Sequence, residues 1–164
     1  MSTQVTLRHE IPTTPANFIE RVHWNEHYQE TIHRLLDMRY QLIKRDPATG
    51  EREVKTWPST DVPAVVRKVM GDDLHFHEKG QTDAATGRYD FVVHPSKGNI
   101  TITGYQALEP VGADKLTRIV HFDIDAKIPL GVGKIVETFV RSALQRSYDE
   151  SATLIGQYLR GELG

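Results

Sequence analysis

The last long run of the sequence, residues 128–159, constrains the fold most strongly because it is periodic and has no proline after Pro129. Its apolar residues recur at intervals of three and four, which places them on one broad stripe of a helix. They are Val132, Val136, Phe139, Val140, Ala143, Leu154 and Tyr158. The opposite side carries Lys134, Glu137, Arg141, Gln145 and Asp149. About 28 helical residues at ~1.5 Å each would extend about 42 Å, so the sequence predicts an amphipathic helix that crosses a whole small domain.

The composition predicts one globular domain over residues 1–164, since 38% of the residues are hydrophobic and 26% are charged. A formal net charge of −2 without a dense basic block disfavours nucleic acid or an anionic membrane as the main partner. No apolar run approaches ~18 residues and no secretory leader is seen, so we expect no integral membrane segment and a cytoplasmic localisation. Transient contact of the protein with a membrane surface is compatible with the sequence. The absence of cysteine excludes disulfides and a thiol nucleophile.

The chain before the long helix alternates between apolar and polar residues and predicts strands. These strands cover residues 4–11, 38–42, 51–57, 74–82, 87–94, 99–108 and 115–128. Short helices are predicted over residues 16–22, 25–36 and 64–70. The connections between strands are short and turn-like, including a hairpin at residues 46–50 and a loop at residues 109–114, so neighbours should be antiparallel. The predicted class is α+β: a curved antiparallel sheet of six or seven strands wrapped around the long C-terminal helix.

Two segments resemble the START-like (SRPBCC, helix-grip) superfamily, which includes polyketide cyclases, the birch-pollen allergen and lipid-transfer proteins. Residues 61–83 read DVPAVVRKVMGDDLHFHEKGQTD, and residues 127–159 begin KIPLGVGKIVETFV; both look like an uncharacterised bacterial branch of it. The order of elements agrees over nearly the whole chain, although the helix at residues 64–70 departs from it. The resemblance implies a hydrophobic cavity between sheet and helix that holds a lipid, sterol, polyketide or similar ligand. It supplies no catalytic residue, because the superfamily has no universal catalytic motif.

Histidines provide the sharpest local motifs. Residues 23–27 read HWNEH and match H-x-x-E-H, in which two histidines one helical turn apart bind zinc. The match is short and no third ligand is singled out, so we predict solvent-facing or helix-capping histidines and no transition metal. His75 and His77 share a strand face and could form a metal cluster with His94 or His121, but we place them on the wet face of the sheet. We predict no cofactor.

A glycine-rich stretch at residues 131–134 resembles the end of a phosphate-binding loop. Ile128 stands where that motif needs glycine, and Ile135 where it needs serine or threonine. Val136 occupies the third glycine position of the dinucleotide fingerprint. Nucleotide binding is therefore excluded, and the glycines are expected to bend the chain into the helix.

Three acidic residues would matter if they were buried. Asp123 and Asp125 alternate with Phe122 and Ile124, so both aspartates face water if the apolar pair faces inward. At ~100° per residue, Glu150 falls on the apolar side of the long helix. We expect Glu150 in water beyond the edge of the sheet rather than as a buried acid in a cavity. No catalytic residue is predicted.

The inward-facing stripe of the long helix carries bulky side chains at both ends and small ones in the middle. The small inward-facing residues are Ala143, Ser147 and Ser151. Because packed interiors leave few voids, either large strand residues such as Phe91 and Phe122 or a ligand must lie opposite. We favour a ligand, with Ser147 able to hydrogen-bond its polar end. The predicted ligand-binding residues are Tyr89, Phe91, Ile102, Val120, Phe122, Phe139, Ala143 and Ser147.

Three functional hypotheses remain open at this stage. The first is a carrier or sensor whose partner is a hydrophobic small molecule, and the second is a cyclase or dehydratase type of enzyme that uses Tyr, His, Asp or Glu as acid and base. The third is a protein-interaction domain with a filled core. Buried titratable residues that converge on an apolar cavity would favour the enzyme. A cavity with only apolar and hydroxyl groups would favour the carrier. The sequence does not predict an oligomeric state.

Overall fold

A computed structural model of the chain describes residues 2–58, 62–129 and 131–163; the remaining positions lie outside this description. The strands are β1 (Ser2–Ile11), β2 (Arg39–Asp46), β3 (Glu51–Trp57), β4 (Phe76–Thr82), β5 (Tyr89–Pro95), β6 (Ile100–Gly112) and β7 (Lys115–Ala126). The helices are α1 (Pro15–Phe18), which continues as a π-helical turn over Ile19–His23, α2 (Glu26–Leu35), α3 (Ala64–Met70) and α4 (Gly133–Leu159).

All the strands belong to one antiparallel sheet in the order β1-β7-β6-β5-β4-β3-β2. The first strand of the chain therefore lies beside the last, while every other neighbour follows directly in sequence. The long helix α4 contacts β1, β7 and α2. This arrangement confirms the predicted α+β helix-grip fold. Among the described residues, no helix combines the length and the apolarity needed to cross a membrane.

Strand β6 differs most clearly from its predicted length. It continues to Gly112, so the loop predicted over residues 109–114 is mostly strand. Pro110 is accommodated in this strand because the register with β7 shifts between Pro110 and Gly112. Proline has no N–H to donate to a neighbouring strand and is tolerated at such bulges.

Helix α4 confirms the predicted long C-terminal helix and spans Gly133–Leu159. Its buried stripe is displaced from the predicted one, since the fully buried residue near its C-terminus is Ile155 rather than Leu154. The periodicity places Glu137 on the solvent side, but the structure leaves this residue only 8% exposed. Helix α3 also contacts α4, so this helix has neighbours other than the sheet.

The two helices that follow β1 begin at side-chain caps. The Thr14 hydroxyl accepts a hydrogen bond from the Asn17 amide at 3.2 Å, and Asn25 Oδ1 accepts one from the Tyr28 amide at 3.2 Å. Such caps satisfy amides that a helix start leaves unpaired. The helix predicted over residues 16–22 is thus α1 with its π-helical turn, and α2 restarts after it.

The apolar core consists of two clusters. The larger one lies between the sheet, α3 and the N-terminal half of α4, and it includes Phe76, Tyr89, Phe91, Ile102, Val120, Phe122, Val136 and Val140. The smaller one joins α1, α2 and the C-terminal half of α4 to the ends of β1, β6 and β7, and it consists of Ile11, Phe18, Val22, Tyr28, Ile32, Leu108, Leu116 and Ile155. Residues from both clusters meet around a cavity.

Candidate ligand-binding site

A cavity of about 200 Å³ opens between the inner face of the sheet, α2 and the middle of α4. Apolar side chains form much of its wall: Phe18, Val22, Ile32, Val54, Phe76, Val93, Leu144 and Ile155. Small-molecule sites in proteins typically have such apolar walls with a few polar groups among them.

The predicted ligand-binding residues divide between this cavity and the core. Those that line the cavity are Tyr89, Ala143 and Ser147. Those in the larger cluster are Phe91, Ile102, Val120 and Phe122, with Phe139 partly buried against it. Tyr148 of α4 lines the cavity and also contacts the core, since its ring centroid lies 5.3 Å from that of Phe122. As ligand contacts, all eight residues remain predictions.

A buried arginine on β3 ends in a closed hydrogen-bond network beside the cavity. Arg52 Nη1 donates to Glu26 Oε1 at 3.3 Å, and Arg52 Nη2 donates to the Tyr40 hydroxyl at 2.7 Å. That hydroxyl in turn donates to Glu26 Oε2 at 2.8 Å. The Arg52 charge therefore has the direct carboxylate partner that a buried ion needs.

A carboxyl group from β4 also lines the cavity. Glu78 Oε2 accepts a 2.8 Å hydrogen bond from the Tyr89 hydroxyl on β5. Gly80 leaves space for the Tyr89 ring, since a Cβ at this position would lie 2.2 Å from Tyr89 Cε1. Burial raises the pKa of Glu78, while the Tyr89 hydrogen bond and the Arg52 charge oppose this rise. A carboxyl with a raised pKa in an apolar cavity can exchange a proton with a bound molecule.

A second buried arginine, Arg118 on β7, is held through one nitrogen. Its Nη2 donates to the Tyr148 carbonyl at 2.9 Å, to His9 Nδ1 at 3.1 Å and to the Ser151 hydroxyl at 3.3 Å. Because arginine can only donate, His9 Nδ1 must accept, and the His9 proton therefore lies on Nε2. That nitrogen donates to Asp149 Oδ1 at 2.7 Å.

Several other polar side chains of the wall have no hydrogen-bond partner among the residues that the structure describes. They include the Gln106 amide and the hydroxyl groups of Tyr28 and Tyr148. Burial raises the pKa of Tyr28 and of Tyr148, so both phenols stay protonated at neutral pH and can donate. Because these three groups line the cavity and have hydrogen-bonding capacity to spare, they are candidates for contacts to a ligand.

His23 is an exception to the prediction of solvent-facing or capping histidines in the HWNEH segment, whereas His27 is exposed. His23 is 5% exposed, and its Nε2 lies 2.8 Å from the Thr82 hydroxyl in a hydrogen bond. Burial, followed by the Arg52 charge, lowers the pKa of His23 to about 3, so the ring is neutral. The π-helical turn that ends at His23 directs this side chain toward the sheet, which a regular helical count does not anticipate.

The remaining motifs take structural roles. His77 Nε2 donates to Glu53 at 2.7 Å, and His121 Nδ1 is hydrogen-bonded to the Thr6 hydroxyl at 2.8 Å. Glu150 is exposed and accepts a 2.9 Å bond from Arg146. Asp123 departs from the prediction that it faces water, because its Oδ1 is buried without a partner among the described residues. Nowhere in the described part of the chain do three or more potential ligands form a group able to hold a metal ion.

The sequence matches, over residues 6–159, the model of a family described as protein of unknown function (DUF2505). The chain belongs to this family. Comparison with curated proteins finds no match for this DUF2505 member.

Solved structures place this DUF2505 chain in a wider fold group. The Zhui aromatase/cyclase from Streptomyces sp. R1128 superposes with a TM-score of 0.68 at 9% identity, covering 96% of this chain and 93% of that one. Norcoclaurine synthase from Thalictrum flavum, in complex with dopamine and hydroxybenzaldehyde, has a TM-score of 0.65 at 14% identity, with 100% and 90% covered. A protein from Thermus thermophilus has a TM-score of 0.64 at 16% identity, with 95% of each chain covered. At these identities the likeness establishes the fold, which is that of START-like proteins, and not the function.

Sequence reasoning missed most polar groups of the site in this DUF2505 chain. Arg52, Glu78, Gln106 and Arg118 were not singled out, although each stands at an inward position of its strand. Arg118, for example, alternates in phase with the buried residues Leu116 and Val120. These residues could have been identified in the sequence because each is a polar residue at a position where the alternation of its strand predicts a buried apolar one.

Proposed function

We propose that this protein binds a small, mainly apolar molecule with an oxygen-bearing polar end in the cavity between the sheet and α4. The observation that carries the proposal is an apolar wall containing polar side chains without described partners, among them the Gln106 amide and the Tyr28 and Tyr148 hydroxyl groups. A bound oxygen group would satisfy their hydrogen-bonding capacity. The cavity also argues against a filled core, and so against a purely structural interaction domain.

The volume narrows the class of ligand. An apolar cavity of ~150 Å³ accepts benzene, and pockets for drug-sized ligands are ~300–1,000 Å³. The cavity of about 200 Å³ therefore favours a molecule with one substituted ring over the sterols and lipids that the resemblance also implied. Norcoclaurine synthase, which shares the fold, is seen with dopamine and hydroxybenzaldehyde, each of which has a single ring.

A second candidate function is acid–base catalysis on the bound molecule, as in a cyclase or dehydratase. The specific observation in its favour is the hydrogen-bonded pair of Glu78 and Tyr89 in the cavity wall. Buried titratable residues that converge on an apolar cavity are typical of active sites. The pair could remove a proton next to a carbonyl group of the ligand and return it.

Binding is tested with neutral single-ring probes. Benzamide and trans-cinnamamide are titrated into the protein and followed by isothermal calorimetry and by saturation-transfer NMR. We expect saturable binding with one site. Failure of every such probe to bind, together with native mass spectrometry that finds no small molecule on protein purified from its own host, would refute the proposed function.

Catalysis needs a separate test. Phenylacetone is incubated with the protein in D₂O, and deuterium uptake next to its carbonyl group is followed by NMR. Acid–base catalysis predicts uptake faster than in buffer, with the acceleration lost in Glu78→Gln. Equal uptake with the parent protein and with Glu78→Gln would leave the carrier as the better description.

A further inference from the structure

One cation in the cavity wall has no counter-ion in direct contact. Arg118 is 3% exposed, and within residues 2–58, 62–129 and 131–163 it forms no ion pair. Arg52, by contrast, contacts Glu26. Burial of a charge is unfavourable unless an opposite charge or a full set of hydrogen bonds compensates. Arg118 is therefore the group in this cavity that an anion would stabilise most.

The Arg118 guanidinium is oriented before any ligand arrives. Nη2 is fixed by the Tyr148 carbonyl, His9 and the Ser151 hydroxyl. His9 in turn donates a hydrogen bond to Asp149, whose side chain is 52% exposed. The carboxylate that is linked to Arg118 through His9 therefore lies at the protein surface. Nε has no partner in the described structure. The guanidinium is thus positioned by neutral acceptors, and no anion is in direct contact with it in the described structure.

Gln106 on β6 is an independent sign of a ligand at the same place. It is 8% exposed, lines the cavity and has no described hydrogen-bond partner. Gln106 faces Val120 across the β6–β7 pair, and Arg118 lies two residues from Val120 on the same side of β7. Gln106 and Arg118 are therefore diagonal neighbours on the inner face of the sheet, at a spacing that long side chains can bridge.

Two phenols complete this end of the cavity. Tyr28 and Tyr148 both line it, and both lie close enough to Arg118 for its charge to oppose the rise in their pKa that burial causes. Their hydroxyl groups have no partner among the described residues. Protonated phenols, an amide and a guanidinium all present N–H or O–H groups, and a carboxylate only accepts.

We propose that Arg118 and Gln106 bind the carboxylate of a small apolar acid, with the Tyr28 and Tyr148 hydroxyl groups as further donors. This inference rests on the proposed function and names the ligand class for the same cavity. A carboxylate carries the single negative charge that one uncompensated guanidinium requires, and it matches the planar geometry of arginine. The apolar wall would surround the ring or short chain of the acid.

Pairs of an acid and its amide test the inference, because the two members differ in charge and hardly in shape. We choose benzoate with benzamide, trans-cinnamate with trans-cinnamamide, and hexanoate with hexanamide, measured by calorimetry at neutral pH. For the pair that binds best, we expect the acid to bind about tenfold more tightly than its amide, or better, as charge-assisted hydrogen bonds allow. Arg118→Met should remove this preference while the affinity for the amide changes little.

Two further variants show whether a lost preference for the acid reflects misfolding or a general effect of charge. Gln106→Leu removes no described hydrogen bond, so it should fold and should weaken acid binding more than amide binding. Arg146→Met removes an exposed cation at the cavity mouth and should keep the preference for the acid. Equal binding of acid and amide by the parent protein, or equal loss of preference in Arg146→Met, would overturn the inference and leave the proposed function intact. Absence of binding by every probe, together with native mass spectrometry that finds no small molecule on protein purified from its own host, would refute the proposed function itself.

Discussion

The Tyr89 hydroxyl on β5 lies 2.8 Å from Glu78 Oε2 on the adjacent strand β4, and Gly80 on β4 makes this contact possible. A Cβ added at Gly80 would meet the Tyr89 ring at 2.2 Å. We expect Gly80→Ala to displace the ring, break the contact with Glu78 and lower the free energy of unfolding by about 1–3 kcal/mol. Urea denaturation followed by circular dichroism measures the change.

Gly112→Ala provides the matched control for this substitution. Its added Cβ would have Lys115 Cβ as its nearest neighbour, at 3.9 Å, which is ordinary contact. We expect a change within about 0.5 kcal/mol. Similar losses in Gly80→Ala and Gly112→Ala would show that the space beside Tyr89 is not what Gly80 provides.

Glu78 should make the stability of the fold depend on pH. Because burial raises the pKa of Glu78, the folded state favours the protonated acid. The contribution to stability is complete below the usual carboxyl pKa and declines as the pH rises through the raised pKa. Glu78→Gln, which stays neutral, should therefore melt at least about 3 °C higher than the parent protein at about pH 8 and nearly equally at about pH 4.

Glu53→Gln is the control for the Glu78 prediction. Glu53 lies on β3, and the hydrogen bond from His77 lowers its pKa. The folded state therefore favours the charged form, so removal of the charge should not raise the melting temperature at alkaline pH. A rise in both variants would point to a general effect of net charge.

Because the pKa of His23 is lowered, we expect mild acidification to reduce the free energy of unfolding. This pKa is lowered from 6.5 to about 3, so the stability that the neutral ring contributes is complete above 6.5 and is lost as the pH falls from 6.5 toward 3. One proton taken up only on unfolding gives a slope of at most about 1.4 kcal/mol per pH unit. Urea unfolding between these pH values should show a shallower slope for His23→Gln than for the parent protein. His94→Gln, at an exposed position, should leave the slope unchanged.

Ser147 tests whether the cavity is the place where probes bind. Ser147 lines the cavity at mid-helix, whereas Ser142 lies on the exposed side of the same helix. We expect Ser147→Trp to fill the space and abolish trans-cinnamamide binding in calorimetry, with any overpacking costing about 1–3 kcal/mol. Ser142→Trp should bind like the parent protein. Unchanged binding by folded Ser147→Trp would place the probe elsewhere.

The local periodicity of apolar residues was sufficient to predict most of the secondary structure. The change from a period of two to a period of three and four near residue 128 was enough to predict the strands and the long helix, because side-chain direction repeats every two residues in a strand and every 3.6 in a helix. The short connections between strands predicted their antiparallel pairing. Periodicity was less reliable where backbone geometry is irregular. The π-helical turn buries His23, and β6 continues past the register shift at Pro110 to Gly112.

The sequence by itself determined which side of each strand faces inward, and hence that Tyr89, Gln106 and Arg118 share one face of the sheet. Only the tertiary structure decided that Tyr89 borders the cavity while Phe91 and Phe122 lie in the packed core. The physical reason is that the side-chain period reports the direction of a residue but not its distance to the element opposite. That distance depends on where α2 and α4 cross the sheet, and therefore on contacts between residues far apart in the chain.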